Sequence, residues 1–175
     1  KIANAELPQP DVVLWPENAT DTDPNGDDQT RELITSASGT INAPVLVGGI
    51  LDGPGPDNRR TASELWASDG ALGPTYVKRS IVPFGEWIPY RDVLLPLFPE
   101  LRYVGKQSVP GERPGVLPVR VRSGRTVTLG TLLCFDVAFD PVVYDLPTNG
   151  AQVIVVQSSN AMYQGSAQVP QQFAI

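Results

Sequence analysis

An α/β fold, with helices packed on a largely buried sheet, is the expectation for this chain, and three features predict it. Four short apolar runs have the length and β-branched content of strands. None of them alternates as a strand with one wet face would, and segments with helical patterning lie between them. The runs are "VVLW" (Val12 to Trp15), "PVLVGGI" (Pro44 to Ile50), "VTLGTLLC" (Val127 to Cys134) and "AQVIVVQS" (Ala151 to Ser158).

Between the first two runs, "DDQTRELITSASGTI" starts acidic and sets Leu33, Ile34, Ala37 and Ile41 on one helical stripe. After Val82 the pattern breaks. "EWIPYRDVLLPLFPELRYVG" combines large apolar residues with Pro89, Pro96 and Pro99, which suits neither a regular helix nor a strand. It reads either as a loop packed back on its own domain or as an apolar arm that meets lipid or another part of the protein. "SELWAS" and "YVKRSIV" read as half-exposed strands, and "LPVRVRSGRTVTLG" as a hairpin turning at "SGR". Following Cys134, "DPVVYDLPTNG" reads as a helix with Pro141 in its first turn.

Composition narrows the chemistry. The 175 residues are 41% hydrophobic, enough for one domain with a core, and the net charge of -6 offers no basic footprint for a nucleic acid. A single cysteine excludes an internal disulfide, and the absence of histidine removes the commonest general base and zinc ligand. No metal or cofactor is therefore expected, and catalysis would run on carboxylate, lysine, cysteine, serine or tyrosine. No run approaches the roughly 20 apolar residues of a membrane-spanning helix. "KIANAELPQPD" lacks the apolar core of a signal peptide, and "QQFAI" ends without a cap, so a segment of a longer protein is the expectation.

Three reactive side chains fall at predicted strand ends, where α/β proteins build their sites. Glu17, in "VVLWPEN", is either a solvated glutamate or a partly desolvated base. Lys78, in an apolar strand, either snorkels to water or points into a site, and Pro83 and Gly85 force a turn that directs Glu86. Cys134 is either core packing or a nucleophile whose strand-end position near a helix N-terminus lowers its pKa. With no histidine, its proton must pass to a carboxylate, and a reacting carbonyl needs a cation or amide donors as oxyanion partner.

"WPEN", "YVKRSIVPFGEWIP", "LLCFD" and "SSNAMYQG", in that order, resemble the nitrilase superfamily. Within it, "VLWPENAT" and "KRSIVPFGEWIPYRDVL" are most similar to the apolipoprotein N-acyltransferases of the bacterial cytoplasmic membrane, from about Pro10 to Ile175. The resemblance implies a four-layer αββα sandwich, of which this chain is an incomplete portion: residues 1–175 would be part of an extracytoplasmic (periplasmic) catalytic domain, with membrane association through parts outside it. It implies Glu17 as general base, Lys78 as oxyanion stabiliser, Cys134 as nucleophile and Glu86 as supporting carboxylate. Phe135, Asp136 and Asn160 are implied as substrate contacts, although Phe–Asp replaces the frequent Tyr–Glu. Ala161, Tyr163 and Gln164 also stand where Asp, Trp and Phe are usual. The implied reaction moves an acyl chain from a phospholipid donor, through a cysteine thioester, to the N-terminal amine of a lipoprotein acceptor. A nitrilase-type amidase with the same triad and a catalytically silent scaffold are the competing readings.

Overall fold

The computed structural model describes residues 8–159 together with 167, 170 and 171. Two β-sheets lie face to face, with a helix outside each, in the four-layer αββα arrangement. The first sheet contains β1 (Val13–Leu14), β2 (Val45–Asp52), β3 (Asn58–Trp66) and β4 (Leu72–Val77) in that order. β1 runs parallel to β2, with helix α1 (Asp28–Ile41) between them, and β2, β3 and β4 follow as antiparallel neighbours. Helix α2 (Arg91–Leu97) comes next, and then β5 (Gln107–Ser108), which pairs parallel with Asn58 and Arg59. It takes the place that β4 leaves open, because β4 pairs with β3 only from Ala62↔Val77 onward. The second sheet has the order β6 (Val116–Arg120), β7 (Thr126–Leu133) and β8 (Val153–Gln157), with α3 (Asp140–Thr148) joining the parallel pair β7 and β8.

Three apolar layers account for the uninterrupted runs of β2 and β7, whereas β1 and β8 lie at the edges of their sheets among the described residues and leave Leu14, Val153 and Ile154 exposed. Successive strand residues point to opposite faces, so a run is apolar throughout only where both faces are covered. Val45 and Val47 meet Val13, Trp66 and α1's Ile34 on one face of β2. Leu46, on the other face, joins Leu65, Tyr76, Leu117, Val119 and Leu133 between the sheets. Leu132 packs beneath α3 against Val142 and Leu146. The Asp27 carboxylate caps α1 by accepting from Thr30 N–H at 2.7 Å, and Asn42 ends the helix in the left-handed region, at φ 52°.

Some expectations need correction. "SELWAS" is buried rather than half-exposed over Ser63–Trp66, because its strand lies between α1 and the second sheet. The stripe of α1 runs through Ile34 and Ser38, while Leu33 stands exposed on the next face. "YVKRSIV" is not one strand, since β4 stops at Val77 and residues 78–82 bend away. The proline-studded segment forms α2 and a 3-10 turn (Pro99–Val104), and neither buries a residue. Ahead of them Ile88 is buried, while Leu94, Leu95, Leu101 and Val104 are half-buried and Val93, Leu97, Phe98 and Tyr103 stand exposed, so the segment is packed on one side and open on the other.

Leu146 is fully buried and anchors α3. Leu146→Ala is expected to cost about 2–5 kcal/mol in urea unfolding, by removing apolar contacts and leaving a cavity. A loss below about 1 kcal/mol would mean that α3 is not fixed through this layer.

Candidate active site

Four chain segments converge at one end of the sandwich. β1 leads through Trp15 and Pro16 to Glu17, and the chain crosses β2 tightly there, with Ala19 N–H donating to Gly48 O at 2.6 Å. A Cβ at position 48 would lie 2.4 Å from Pro16 O and 2.8 Å from Glu17 Cα, so only glycine admits this crossing. β4 delivers Lys78, whose N–H still donates to Thr61 O at 2.9 Å. The "PFGE" turn, with Phe84 at φ 62°, returns Glu86 to the same place.

Lys78 is 1% exposed and lies between two carboxylates. Its Nζ donates to Glu17 Oε1 at 3.1 Å and to Glu86 Oε1 at 3.0 Å. Glu86 is itself held by Val82 N–H to Oε2 at 2.8 Å and by the Thr61 hydroxyl to Oε1 at 3.4 Å. Ser159 N–H approaches Glu17 Oε2 at 3.4 Å. Burial alone would lower the pKa of Lys78, but the Glu17 and Glu86 charges outweigh it and raise that pKa above its ordinary value. Lys78 is therefore a fixed cation, with two of its three N–H bonds taken among the described residues.

Cys134 follows β7 as the first residue of a 3-10 turn (Cys134–Ala138) and sits in the left-handed region at φ 47°, a conformation that a non-glycine residue keeps only when its surroundings impose it. Its thiol is half-buried, hydrogen-bonds with Glu17 and Ser158, and feels the Lys78 charge. Burial, then the Glu17 carboxylate, pushes the thiol pKa up, against the opposing pull of Ser158 and Lys78. The expected lowering is thus corrected: the resting pair is thiol and carboxylate, and the strand-end position does not offset desolvation. The arrangement suits proton transfer from Cys134 to Glu17 during attack, which leaves the net charge of the cluster unchanged.

The remaining sequence candidates separate. Asp136 is fully buried and faces inward. Its Oδ2 accepts from Tyr76 O–H at 2.8 Å and Leu133 N–H at 3.1 Å, and its Oδ1 accepts from Ser80 N–H at 2.8 Å. In these contacts it ties the Cys134 turn to the residues on either side of Lys78. Phe135 packs edge-on against Phe139, with ring centroids 5.1 Å apart. Asn160 lies outside the described residues. Sequence reasoning missed Thr61, Tyr76 and Ser158, which read as ordinary strand residues. Among the described residues no group of three or more His, Cys, Asp or Glu could hold a metal ion.

The carbon-nitrogen hydrolase family profile matches residues 8–175. An apolipoprotein N-acyltransferase of Mycolicibacterium smegmatis is 35% identical over 159 residues, 89% of this chain and 26% of the relative. Apolipoprotein N-acyltransferase 2 of Treponema denticola is 27% identical, over 84% of this chain and 29% of the relative. The chain thus spans under a third of the length of these curated relatives. Among solved structures, an amidase from Nesterenkonia sp. superposes with a TM-score of 0.60 at 22% identity, covering 91% of this chain and 55% of the amidase. A mutant of that amidase carries the acetamide moiety of fluoroacetamide covalently at its active site cysteine.

Glu17→Gln removes a negative neighbour of the thiol and frees the Lys78 charge to face it. The titration midpoint of Cys134, followed by ultraviolet thiolate absorbance against Cys134→Ser, is expected to move down. A midpoint that stays or rises would show that Glu17 does not act on the thiol.

Proposed function

This chain belongs to the carbon-nitrogen hydrolase family, and from that premise we propose that it is part of an apolipoprotein N-acyltransferase. The observation that carries the reading is Lys78 locked between Glu17 and Glu86, with the Cys134 thiol hydrogen-bonded to Glu17. Similarity to acyltransferases along 89% of the chain favours transfer over hydrolysis. The apolar arm, with Val93, Leu97 and Phe98 exposed, also favours a lipid-handling site.

In the first step Glu17 takes the thiol proton while Sγ bonds to the ester carbonyl carbon of a phospholipid acyl chain. Lys78 stabilises the oxyanion as it forms. The tetrahedral species collapses, the ester C–O bond breaks, and Glu17 returns its proton to the departing lysophospholipid oxygen. An acyl thioester remains on Cys134. In the second step the α-amine of a diacylglyceryl-cysteine lipoprotein attacks that thioester. The new N–C bond forms, the C–S bond breaks, and Glu17 carries the amine proton back to the thiolate. Residues 1–175 would lie in the extracytoplasmic catalytic domain of a cytoplasmic-membrane protein. The spanning segments would then be elsewhere, since no helix among the described residues is long and apolar enough to cross a membrane. The arm from Arg91 to Val104 would be a lid or membrane-facing element beside the site.

The test is the intact mass of the full-length, detergent-solubilised protein after incubation with phosphatidylethanolamine. A gain of one acyl chain is expected, absent in Cys134→Ala, slowed roughly a hundredfold or more in Lys78→Met, and discharged by a diacylated lipopeptide. Discharge by water at a comparable rate would replace the reading with an amidase. No adduct, together with a thiol that resists labelling, would leave a scaffold.

A further inference from the structure

Between the two sheets, in a layer otherwise built of leucine, valine and tyrosine, three polar side chains meet. Ser63 of β3 and Thr131 of β7 are fully buried, and Gln157, the last residue of β8, is 3% exposed. Both hydroxyls donate to Gln157 Oε1, Thr131 at 3.1 Å. On its other side Gln157 Nε2 donates to Trp15 O at 2.6 Å and to Leu46 O at 3.3 Å. Carbonyls only accept, so they fix which end of the amide faces them. One side chain therefore ties β3, β7 and β8 to β2 and to the first residue after β1.

The links at its ends are the active site. Trp15 lies two residues before Glu17, Thr131 three before Cys134, and Leu46 O also takes the N–H of Trp15 at 2.9 Å. The residues that follow Gln157 are Ser158, hydrogen-bonded to the Cys134 thiol, and Ser159, whose N–H approaches Glu17 Oε2. A polar group in an apolar layer is costly unless every partner is supplied, and a well-packed apolar residue would serve stability as well. What the amide adds is register between base, nucleophile and the β8 exit.

We propose that Gln157 is a positioning residue for catalysis, its side chain holding the Glu17 and Cys134 segments in reacting register across the two sheets. This rests on the Glu17–Lys78–Cys134 reading, and its chemical logic concerns the geometry of attack rather than the affinity for donor.

The experiment measures single-turnover acylation of full-length protein by phosphatidylethanolamine across pH, normalised to burst amplitude, for wild type, Gln157→Glu and Gln157→Leu. Gln157→Glu keeps the shape and the acceptor side, but when ionised it turns a carboxylate oxygen toward the Trp15 and Leu46 carbonyls. Its rate per active site is expected to fall roughly tenfold to a hundredfold at mildly alkaline pH, with donor half-saturation nearly unchanged. The ratio to wild type should climb as pH falls and the introduced carboxyl, its pKa raised by burial, takes up a proton and donates again. Gln157→Leu should show a comparable loss with a flat ratio. If Gln157→Leu fails to fold, the pH ratio of Gln157→Glu decides alone. An unchanged rate, or a loss confined to burst amplitude, would overturn the proposal. Should wild type form no acyl adduct, the acyl-transfer reading falls, and the same comparison is made on iodoacetamide alkylation of Cys134.

Discussion

Everything near the Glu17–Lys78–Cys134 end of this sandwich is arranged around one buried cation. An ammonium group removed from water is unfavourable by several kcal/mol, and Lys78 persists charged because two carboxylates meet it at hydrogen-bond distance. Removing one partner of such a cluster typically costs about 3–5 kcal/mol, so the positions of Glu17 and Glu86 are constrained by folding as well as by chemistry. That constraint explains the local backbone. Gly48 lets the Glu17 segment cross β2, and the turn at Phe84 brings Glu86 back within reach of Lys78. A cation held in this way would need no reorganisation if an oxyanion formed beside it, as the proposed reaction requires.

Around the cluster lies a second set of buried polar contacts, which hold main chain rather than charge. Asp136 gathers Tyr76, Ser80 and Leu133, while Gln157 gathers Ser63, Thr131, Trp15 and Leu46. Each joins a segment of the first sheet to one of the second. Apolar packing between sheets tolerates small slides, because dispersion contacts are weak singly and not directional. Hydrogen bonds of fixed length do not tolerate such slides. The site lies across the gap between two sheets, and these networks remove the freedom that apolar layers leave.

The layers and three of the chemical groups were legible in the sequence, because their signals are local. Uninterrupted runs such as "PVLVGGI" announce a strand covered on both faces, and Asp27 with Pro141 announce helix starts. Glu17, Lys78 and Cys134 were visible as reactive residues at strand ends, but nothing local joined them. It was their order along the chain, through a family resemblance, that did so. What stayed hidden depends on distant pairing. Gln157 reads as a polar residue closing an apolar run, and its meaning lies in Trp15 and Leu46, more than a hundred residues earlier. The sign of the thiol pKa was misread for the same reason. A helix N-terminus is local and lowers it, whereas the burial that chiefly raises it, and the Glu17 carboxylate that adds to this from the other sheet, arise only in the folded chain.

That raised pKa bears on transfer against hydrolysis. If Cys134 is the nucleophile, a thiol held protonated until attack, with its proton passing to Glu17, would stay quiet when no acyl group is present. On the acyl-transfer reading the same carboxylate would activate whatever reaches the thioester, and a base does not by itself distinguish water from an amine. Discrimination must come from what can approach, and the adjoining structure is suited to that. Phe84, Trp87 and Tyr90 stand exposed beside the Glu86 turn, and the arm that follows exposes Val93, Leu97, Phe98 and Tyr103. Apolar side chains left in water at this density are unfavourable unless something covers them. An acylated amine brings hydrocarbon to cover such a surface, and water does not. On the acyl-transfer reading, the hydrophobic effect that holds the sandwich together would also select the second nucleophile.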